Sequence, residues 1–247
     1  MSRSVFDPVA ARYDASRPSY PDALYDSIER LTGPLAGRRV LELGAGTGIA
    51  TRGLLGRGAL VVGLDIGARM LAQLRVCSPG VPVVLGDGAA LPVGDGSVEL
   101  VASAQAFHWL PIDRTVPEVV RVLRRGGALA LWWNHSELPD TPWTRAQDQR
   151  FEETPSGCPG QLWPGGVDSP LHATGWFDRI DQVDLRWNWR VPIEDYVGYI
   201  GSKSAVVRLG TDAAGFLDHQ RDALAATFPD GTVVEPFRCS LTVAWPR

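Results

Sequence analysis

Acidic residues lie at or near the ends of short apolar runs at three places in the first half of the chain. Glu42 lies near the end of the run 40–43, before a turn with glycine at every second position of 44–48, and Asp65 and Asp87 come after the next two runs. Carboxylates at neighbouring strand ends can accept hydrogen bonds from ribose hydroxyls, and glycine lets the backbone approach a ligand closely. These acids and this turn therefore predict a site for a nucleoside-like ligand.

The elements around these residues predict the fold. Residues 40–43 are too short an apolar run for a helix, whereas 49–55 have helical spacing, so this unit is strand, turn and helix. Further strands are predicted at 59–64, 81–85, 98–102, 128–133, 177–191 and 232–245, and helices at 68–76, 112–124, 193–209 and 212–228. Such alternation predicts an α/β fold with a doubly wound, mostly parallel, seven-stranded sheet. The last strand, 232–245, is expected to be an antiparallel edge strand.

The predicted organisation is a single domain, 1–247, with a ligand-binding core at about 35–135. Residues 1–34 contain helix-prone segments, and 136–175 are rich in proline, glycine and tryptophan, with one helix near 144–153. We expect 1–34 and about 136–230 to form a helical cap over the ligand and the substrate.

Composition narrows the class of protein. The chain has 247 residues, is 45% hydrophobic and carries a net charge of −4, without a visible basic stripe, which disfavours a nucleic-acid partner. Its first residues lack an apolar signal region and no stretch could span a membrane, so a cytoplasmic protein, monomeric or homodimeric, is expected. Cys77, Cys158 and Cys239 are expected to be free thiols, and no spacing indicates a metal site.

The order Glu42-x-Gly44-x-Gly46-x-Gly48 resembles the glycine-rich motif of class I S-adenosylmethionine (SAM) dependent methyltransferases. In that family the turn passes under the methionyl half of SAM. The resemblance therefore implies that SAM is the cofactor and that Glu42, Gly44, Ala45 and Gly46 belong to its site.

The two later acids extend this resemblance. Asp65 is implied to bind the ribose, with Ile66 and Met70 beside the adenine; the alternative for Asp65 is an N-cap of the next helix.

The segment that starts at Gly86 resembles the family's G-D-A-x-x-L-P motif. It implies that Asp87 meets the adenine amino group and that Gly88 and Ala89 line the base. Gly88 stands where alanine is commoner in the family.

Two segments resemble the trans-aconitate methyltransferase branch of the small-molecule type-11 family. In Ala104-Gln105-Ala106-Phe107-His108-Trp109, Gln105 is implied to contact the methionyl part of SAM, and His108 is the best-placed catalytic group. A structural imidazole bonded to the backbone is the alternative for His108.

The second segment starts at Phe6. Here the resemblance implies that Tyr13 offers its ring to the sulfonium and that Arg17 binds the carboxylate of SAM. A packed tyrosine and a surface arginine are the alternatives.

The implied function is transfer of a methyl group from SAM to an O, N, S or C nucleophile of a small, partly apolar metabolite, with S-adenosylhomocysteine as product. One alternative is a SAM-binding protein of the same fold that does not methylate. Another is a nicotinamide oxidoreductase, because Tyr199-x-x-x-Lys203 matches the tyrosine–lysine pair of short-chain dehydrogenases. Against that, Ala50 occupies the place of the last glycine of the dehydrogenase turn.

Overall fold

The computed structural model describes residues 6–141, 143–145 and 168–247 of the chain. Its helices are α1 (Ala10–Ser16), α2 (Asp22–Thr32), α3 (Ile49–Gly56), α4 (Ala68–Cys77), α5 (Ile112–Val122), α6 (Asp168–Thr174), α7 (Ile193–Gly201), α8 (Ser204–Arg208) and α9 (Ala213–Thr227). Its strands are β1 (Arg39–Leu43), β2 (Leu60–Asp65), β3 (Val83–Leu85), β4 (Val98–Ala104), β5 (Leu123–Ser136), β6 (Phe177–Pro192) and β7 (Thr232–Pro246).

The strands form one seven-stranded sheet in the order β3-β2-β1-β4-β5-β7-β6. Every pairing from β3 to β5 is parallel, whereas β7 runs antiparallel to both β5 and β6. The chain first builds outward from β1 to β3 and then returns to add β4 on the other side of β1. Open α/β sheets bind ligands at such a switch point, beyond the carboxyl ends of the strands. The predicted doubly wound, mostly parallel sheet is confirmed.

The expected place of the last strand is wrong. β7 is antiparallel as predicted, but it lies one position inside the sheet, and β6 forms the edge. The burial patterns explain the difference, because β7 contains four consecutive buried residues, 241–244, as a strand covered on both faces does. β6 instead alternates with exposed residues along most of its length.

Both faces of the sheet are covered by apolar side chains. On one face, Leu43, Val101 and Leu131 pack with residues of α5 and α6. On the other, Val61 and Trp132 pack with residues of α2 and α3. A third cluster joins β6 and β7 to α7 and α9. The sheet is thus a rigid frame whose strand ends reach one common edge.

Three predicted helices differ in detail. The helix predicted at 112–124 ends at Val122 because β5 begins at Leu123. The helix predicted at 193–209 is divided into α7 and α8. Most of the helix predicted near 144–153 lies outside the described residues. None of the described helices is long and apolar enough to cross a membrane.

Candidate functional site

The glycine turn after β1 has a backbone that only glycine fits easily. Gly44, Gly46 and Gly48 have φ of +68°, +55° and +86°. A Cβ atom on Gly44 would lie 2.3 Å from the Cβ of Ala106, well inside van der Waals contact. The Gly44 N–H donates a hydrogen bond of 2.8 Å to the Leu64 carbonyl, which holds the turn against β2. The turn therefore presents bare backbone at the switch point.

Asp65, at the end of β2, ties this turn to the start of α4. Its Oδ2 accepts a hydrogen bond of 2.8 Å from the Gly46 N–H, and its Oδ1 accepts one of 2.7 Å from the Gly67 N–H. Burial raises the pKa of Asp65, and the two backbone donors offset part of that rise. Each oxygen keeps lone-pair capacity for a ligand hydroxyl.

Asp7 caps α4, the role considered for Asp65 in the sequence. Asp7 Oδ1 accepts hydrogen bonds from the N–H groups of Arg69, at 2.8 Å, and Met70, at 3.1 Å. These donors are among the first N–H groups of α4, which have no partner within the helix. The contact also brings the segment before α1 onto the ligand edge of the sheet.

One cavity brings together most of the predicted cofactor residues. It measures about 810 Å³, including the open space at its mouth. Nine of the thirteen predicted cofactor residues line it: Tyr13, Gly44, Gly46, Asp65, Ile66, Met70, Asp87, Gly88 and Gln105. Asp7 adds a third carboxylate to those of Asp65 and Asp87, and no lining residue that the structure describes is basic. The cavity therefore suits a neutral or cationic ligand better than a diphosphate.

Gln105 combines cavity lining with an unusual backbone. Its φ is +52°, and no other non-glycine residue of the described chain has a positive φ. The Gln105 N–H donates a hydrogen bond of 2.9 Å to the Trp132 carbonyl, which helps to hold this conformation. Strain of this kind accumulates at ligand sites.

Four predicted cofactor residues lie outside the cavity lining. The Arg17 guanidinium donates hydrogen bonds of 2.8 Å and 2.9 Å to the hydroxyl and carbonyl oxygens of Ser202. Ala45 and Ala89 are buried in the turns beside the lining glycines. Glu42 is the fourth, and it lies behind the glycine turn.

Glu42 joins β1 to α3 beneath the cavity. It is buried, and its Oε2 accepts a hydrogen bond of 2.6 Å from the Thr51 hydroxyl. Burial raises the pKa of Glu42 to about 8, partly offset by the Thr51 contact. The folded protein therefore holds the Glu42 proton at neutral pH, where an unfolded chain has lost it.

This difference predicts a pH-dependent stability that Glu42→Gln removes. An unfolded chain releases the proton near pH 4.5, whereas the fold keeps it to about pH 8, so wild-type stability falls across this range. The slope is at most about 1.4 kcal/mol per pH unit. Urea unfolding at pH 5, 6.5 and 8 measures it, and we expect a flatter profile for Glu42→Gln. Parallel profiles would mean that Glu42 is ionised in the fold.

His108 lies on a short 3-10 turn after β4, outside the cavity lining. Its Nδ1 accepts a hydrogen bond of 3.2 Å from the Trp133 indole N–H. Because an indole nitrogen only donates, His108 Nδ1 carries no proton and the hydrogen sits on Nε2. Burial lowers the pKa of His108 to about 4. At neutral pH the ring is thus uncharged and offers a donor at Nε2.

The tautomer of His108 is directly measurable. We expect ¹⁵N–¹H correlation spectra to place the proton on Nε2 and the titration near pH 4. Trp133→Phe removes the only donor to Nδ1 among the described residues, and it should shift the equilibrium toward a mixture of tautomers. A titration near pH 6.5 with the proton on Nδ1 would contradict this assignment.

Several lining residues were not predicted as site residues from the sequence. They include Phe6 and Asp7 before α1 and Trp109 and Leu110 after the His108 turn. An aspartate followed by Pro8 is a helix-start signal, but nothing local indicates that Asp7 caps α4. Trp109 belongs to the 104–109 segment that also contains Gln105. Its position in that segment is a signal from which it could have been predicted as a lining residue.

The chain is similar to known methyltransferases over most of its length. A family model described as a methyltransferase domain matches residues 41–131. A demethylmenaquinone methyltransferase of Beutenbergia cavernae is 31% identical over 201 residues, which are 70% of this chain and 81% of that protein. An uncharacterized methyltransferase of Mycobacterium tuberculosis is 45% identical over 129 residues, 52% of this chain and 51% of that protein. The chain thus spans about half the length of the mycobacterial relative.

The fold is also similar to that of a solved structure. A solved protein from Anaeromyxobacter dehalogenans, described as a type II methyltransferase, superposes with a TM-score of 0.71 at 24% identity, covering 92% of this chain and 97% of that one. The chain belongs to the class I SAM-dependent methyltransferase family, and the prediction made from the 42–48 motif is confirmed.

Proposed function

We propose that this protein transfers the methyl group of SAM to an O, N, S or C nucleophile of a small, partly apolar metabolite. The observation that carries the proposal is the cavity at the switch point, with bare backbone at Gly44 and Gly46 and carboxylates at Asp65 and Asp87. Side chains on the two glycines would meet Ala106 and Met70, so glycine is what allows the turn to lie this close to those residues.

The residues of this cavity fit SAM by their chemistry. Asp65 would hold the ribose hydroxyls and Asp87 the adenine amino group, with Ile66, Met70 and Gly88 against the adenine. Backbone at Gly44 and Gly46 would face the methionyl part, together with Tyr13 and Gln105. When bound, SAM supplies a methyl carbon activated by its sulfonium charge. The three carboxylates favour that cation and would repel the diphosphate of a nicotinamide dinucleotide.

The buried residues around the cavity would act by positioning. Glu42 would fix the glycine turn through Thr51, and Ala45 and Ala89 would leave room for the backbone on which the ligand lies. Arg17, bound to Ser202, would hold α1 over the cavity by its contact with the Tyr13 ring, 4.6 Å away. Positioning of nucleophile and methyl group is a large part of such catalysis.

His108 would serve the acceptor as a hydrogen-bond donor at neutral pH. Its Nδ1 is occupied by Trp133, and its low pKa makes it a poor proton acceptor near pH 7. An acceptor atom that is already a nucleophile, or another base, then suits this site better than an alcohol deprotonated by His108.

The proposal is tested by two measurements on the purified chain. Calorimetry should detect S-adenosylhomocysteine binding and no NAD(H) binding. Incubation with SAM and a panel of small acids, phenols, amines and thiols should release S-adenosylhomocysteine together with a product 14 Da heavier than its acceptor. Cofactor binding without any methylated product from such a panel would favour the SAM-binding protein that does not methylate. The relatives named above bear methyltransferase names, which favours the enzyme.

Further observations support a proposal for the acceptor class, the location and the oligomeric state of the enzyme. We infer a small-molecule acceptor rather than nucleic acid, because the net charge is −4 and the cavity carboxylates would repel phosphates. A relative named for demethylmenaquinone supports a small, partly apolar acceptor. We further infer a cytoplasmic monomer or homodimer without membrane attachment, with Cys77 and Cys239 as free thiols. The finer kinship with the trans-aconitate branch stays a prediction, based on the motifs at Arg17 and His108.

A further inference from the structure

The segment between α1 and α2 lies against the carboxyl end of β5. The Ser19 carbonyl accepts a hydrogen bond of 3.2 Å from the side-chain amide of Asn134, near the end of that strand. The ring of Tyr20 meets the ring of Trp132 at right angles, with 5.9 Å between the two ring centres. We call residues 17–21 the strap. The strap is therefore attached to the sheet at the edge where the cofactor cavity opens.

Tyr20 also reaches Gln105, the residue that follows β4. Burial raises the pKa of Tyr20 well above its usual value, and a hydrogen bond with the Gln105 side chain offsets part of that rise. The Tyr20 hydroxyl is therefore uncharged at neutral pH and is held at the Gln105 amide. Gln105 lines the cavity, whereas Tyr20 is not among the lining residues. Tyr20 thus lies directly behind a residue of the cavity wall.

Gln105 depends on its neighbours for its conformation. Its φ of +52° lies in the left-handed region, which is unfavourable for a residue with a side chain. The hydrogen bond from its N–H to the Trp132 carbonyl holds the backbone but leaves the side-chain torsions free. A glutamine side chain is among the costliest to order, because it has three such torsions. The hydrogen bond with Tyr20 restrains the amide group at their end.

The position of Gln105 indicates which part of the ligand it faces. Its neighbour Ala106 packs against the glycine turn, since a Cβ on Gly44 would lie 2.3 Å from the Ala106 Cβ. The proposed function assigns this turn to the amino-acid end of the cofactor and assigns Asp65 and Asp87 to the nucleoside end. Gln105 is thereby placed at the amino-acid end.

We propose that Tyr20 is a positioning residue that fixes the Gln105 side chain at the amino-acid end of bound SAM. This inference rests on the proposed function and adds a residue of the strap to the same site. Tyr20 acts through Gln105 and does not touch the cofactor. An amide that is already ordered loses less freedom on binding, so it contributes more affinity than a mobile one.

Binding of two related nucleosides tests this role. S-adenosylhomocysteine carries the amino-acid end, whereas 5′-methylthioadenosine has only a methyl group in its place. Tyr20→Phe keeps the ring against Trp132 and removes the hydroxyl. By calorimetry, we expect S-adenosylhomocysteine to bind about three- to tenfold more weakly, as the loss of one hydrogen bond predicts, and 5′-methylthioadenosine to bind unchanged. A general distortion of the cavity would weaken both nucleosides.

A second variant shows whether Tyr20 acts through Gln105. Gln105→Gly removes the amide and relieves the strain at a φ of +52°, so the protein should stay folded and bind S-adenosylhomocysteine more weakly. Adding Tyr20→Phe to Gln105→Gly should change this affinity by less than about twofold, because the partner of the hydroxyl is already gone. Losses that add in the double variant would show that Tyr20 acts elsewhere and would overturn the inference.

The matched control is Tyr25→Phe in α2. Tyr25 belongs to the apolar cluster against which Tyr20 packs, and burial raises its pKa as well. Its hydroxyl lies against α3 at Gly53, and Tyr25 does not line the cavity. Tyr25→Phe should therefore bind both nucleosides as wild type does. A similar selective loss in this control would mean that the contact with Gln105 is not the cause.

Two further results would overturn the inference, namely unchanged S-adenosylhomocysteine affinity in Tyr20→Phe or an equal loss for both nucleosides. If Tyr20→Phe does not fold, Gln105→Asn tests the same contact. Asparagine tolerates the left-handed backbone, and its amide is one methylene further from Tyr20, so the same selective loss is expected. Wild-type protein that binds neither nucleoside would contradict the proposed function. If wild type binds both and Tyr20→Phe loses neither, only the role of Tyr20 is wrong.

Discussion

Asp65→Ala is expected to weaken S-adenosylhomocysteine binding by about a hundredfold or more. The change removes a lining carboxylate and leaves the N–H groups of Gly46 and Gly67 without their acceptor. Each charge-assisted hydrogen bond is worth roughly 1.5–3 kcal/mol, so the loss of the bonds proposed between the Asp65 carboxylate and the two ribose hydroxyls accounts for this effect. Titration calorimetry at neutral pH measures the dissociation constant.

Two variants make this result specific. Asp65→Asn presents an amide donor to one of the two backbone N–H groups, so it should bind more tightly than Asp65→Ala and far more weakly than wild type. Asp95→Ala removes an exposed carboxylate that pairs with Arg121 and should leave the dissociation constant unchanged. If Asp65→Ala bound as tightly as wild type while remaining folded, the cavity would not be the cofactor site.

Gly44→Ala should abolish cofactor binding and lower the melting temperature. The new Cβ would lie 2.3 Å from the Ala106 Cβ, and alanine is strained at a φ of +68°. The turn would have to move away from β4, which displaces the backbone that lines the cavity. We expect no detectable S-adenosylhomocysteine binding by calorimetry and a melting point several degrees lower, from about 1–3 kcal/mol of backbone strain alone.

The chain contains a matched control for this variant. Gly56, in α3, has open space around its Cβ position, so Gly56→Ala should bind the cofactor normally. Combining Gly44→Ala with Ala106→Gly removes the clash and retains the strained φ, so partial recovery would measure the two effects separately. Normal binding by Gly44→Ala itself would mean that the turn does not line the cofactor site.

The sequence predicted those parts of the site that depend on local order. Glycines at every second position after a short apolar run indicate a turn. Asp65 is the last residue of β2, and Asp87 lies two residues after β3. Parallel pairing then brings these strand ends together at one edge. The fold class and nine cavity-lining residues could thus be predicted from the sequence alone.

Other parts depend on partners that lie far away in the sequence. Arg17 reaches Ser202, 185 residues later, and that contact is invisible in the local motif. Glu42 faces Thr51 instead of the cavity because the glycine turn carries the backbone over it. The order of β6 and β7 is likewise decided by which strand is covered on both faces, a property of the folded sheet. The cofactor roles of Arg17 and Glu42 stay predictions.

The capping of α4 by Asp7 couples the stability of that helix end to the closure of the cavity. The same carboxylate that secures a distant helix end also forms part of the cavity wall. Lifting this segment must therefore expose the pocket and uncap α4 together. We expect S-adenosylhomocysteine to leave at a rate set by the breaking of the hydrogen bonds between Asp7 and the first N–H groups of α4. Cleavage by a protease near Asp7 should become slower as the fraction of protein with a filled cavity rises.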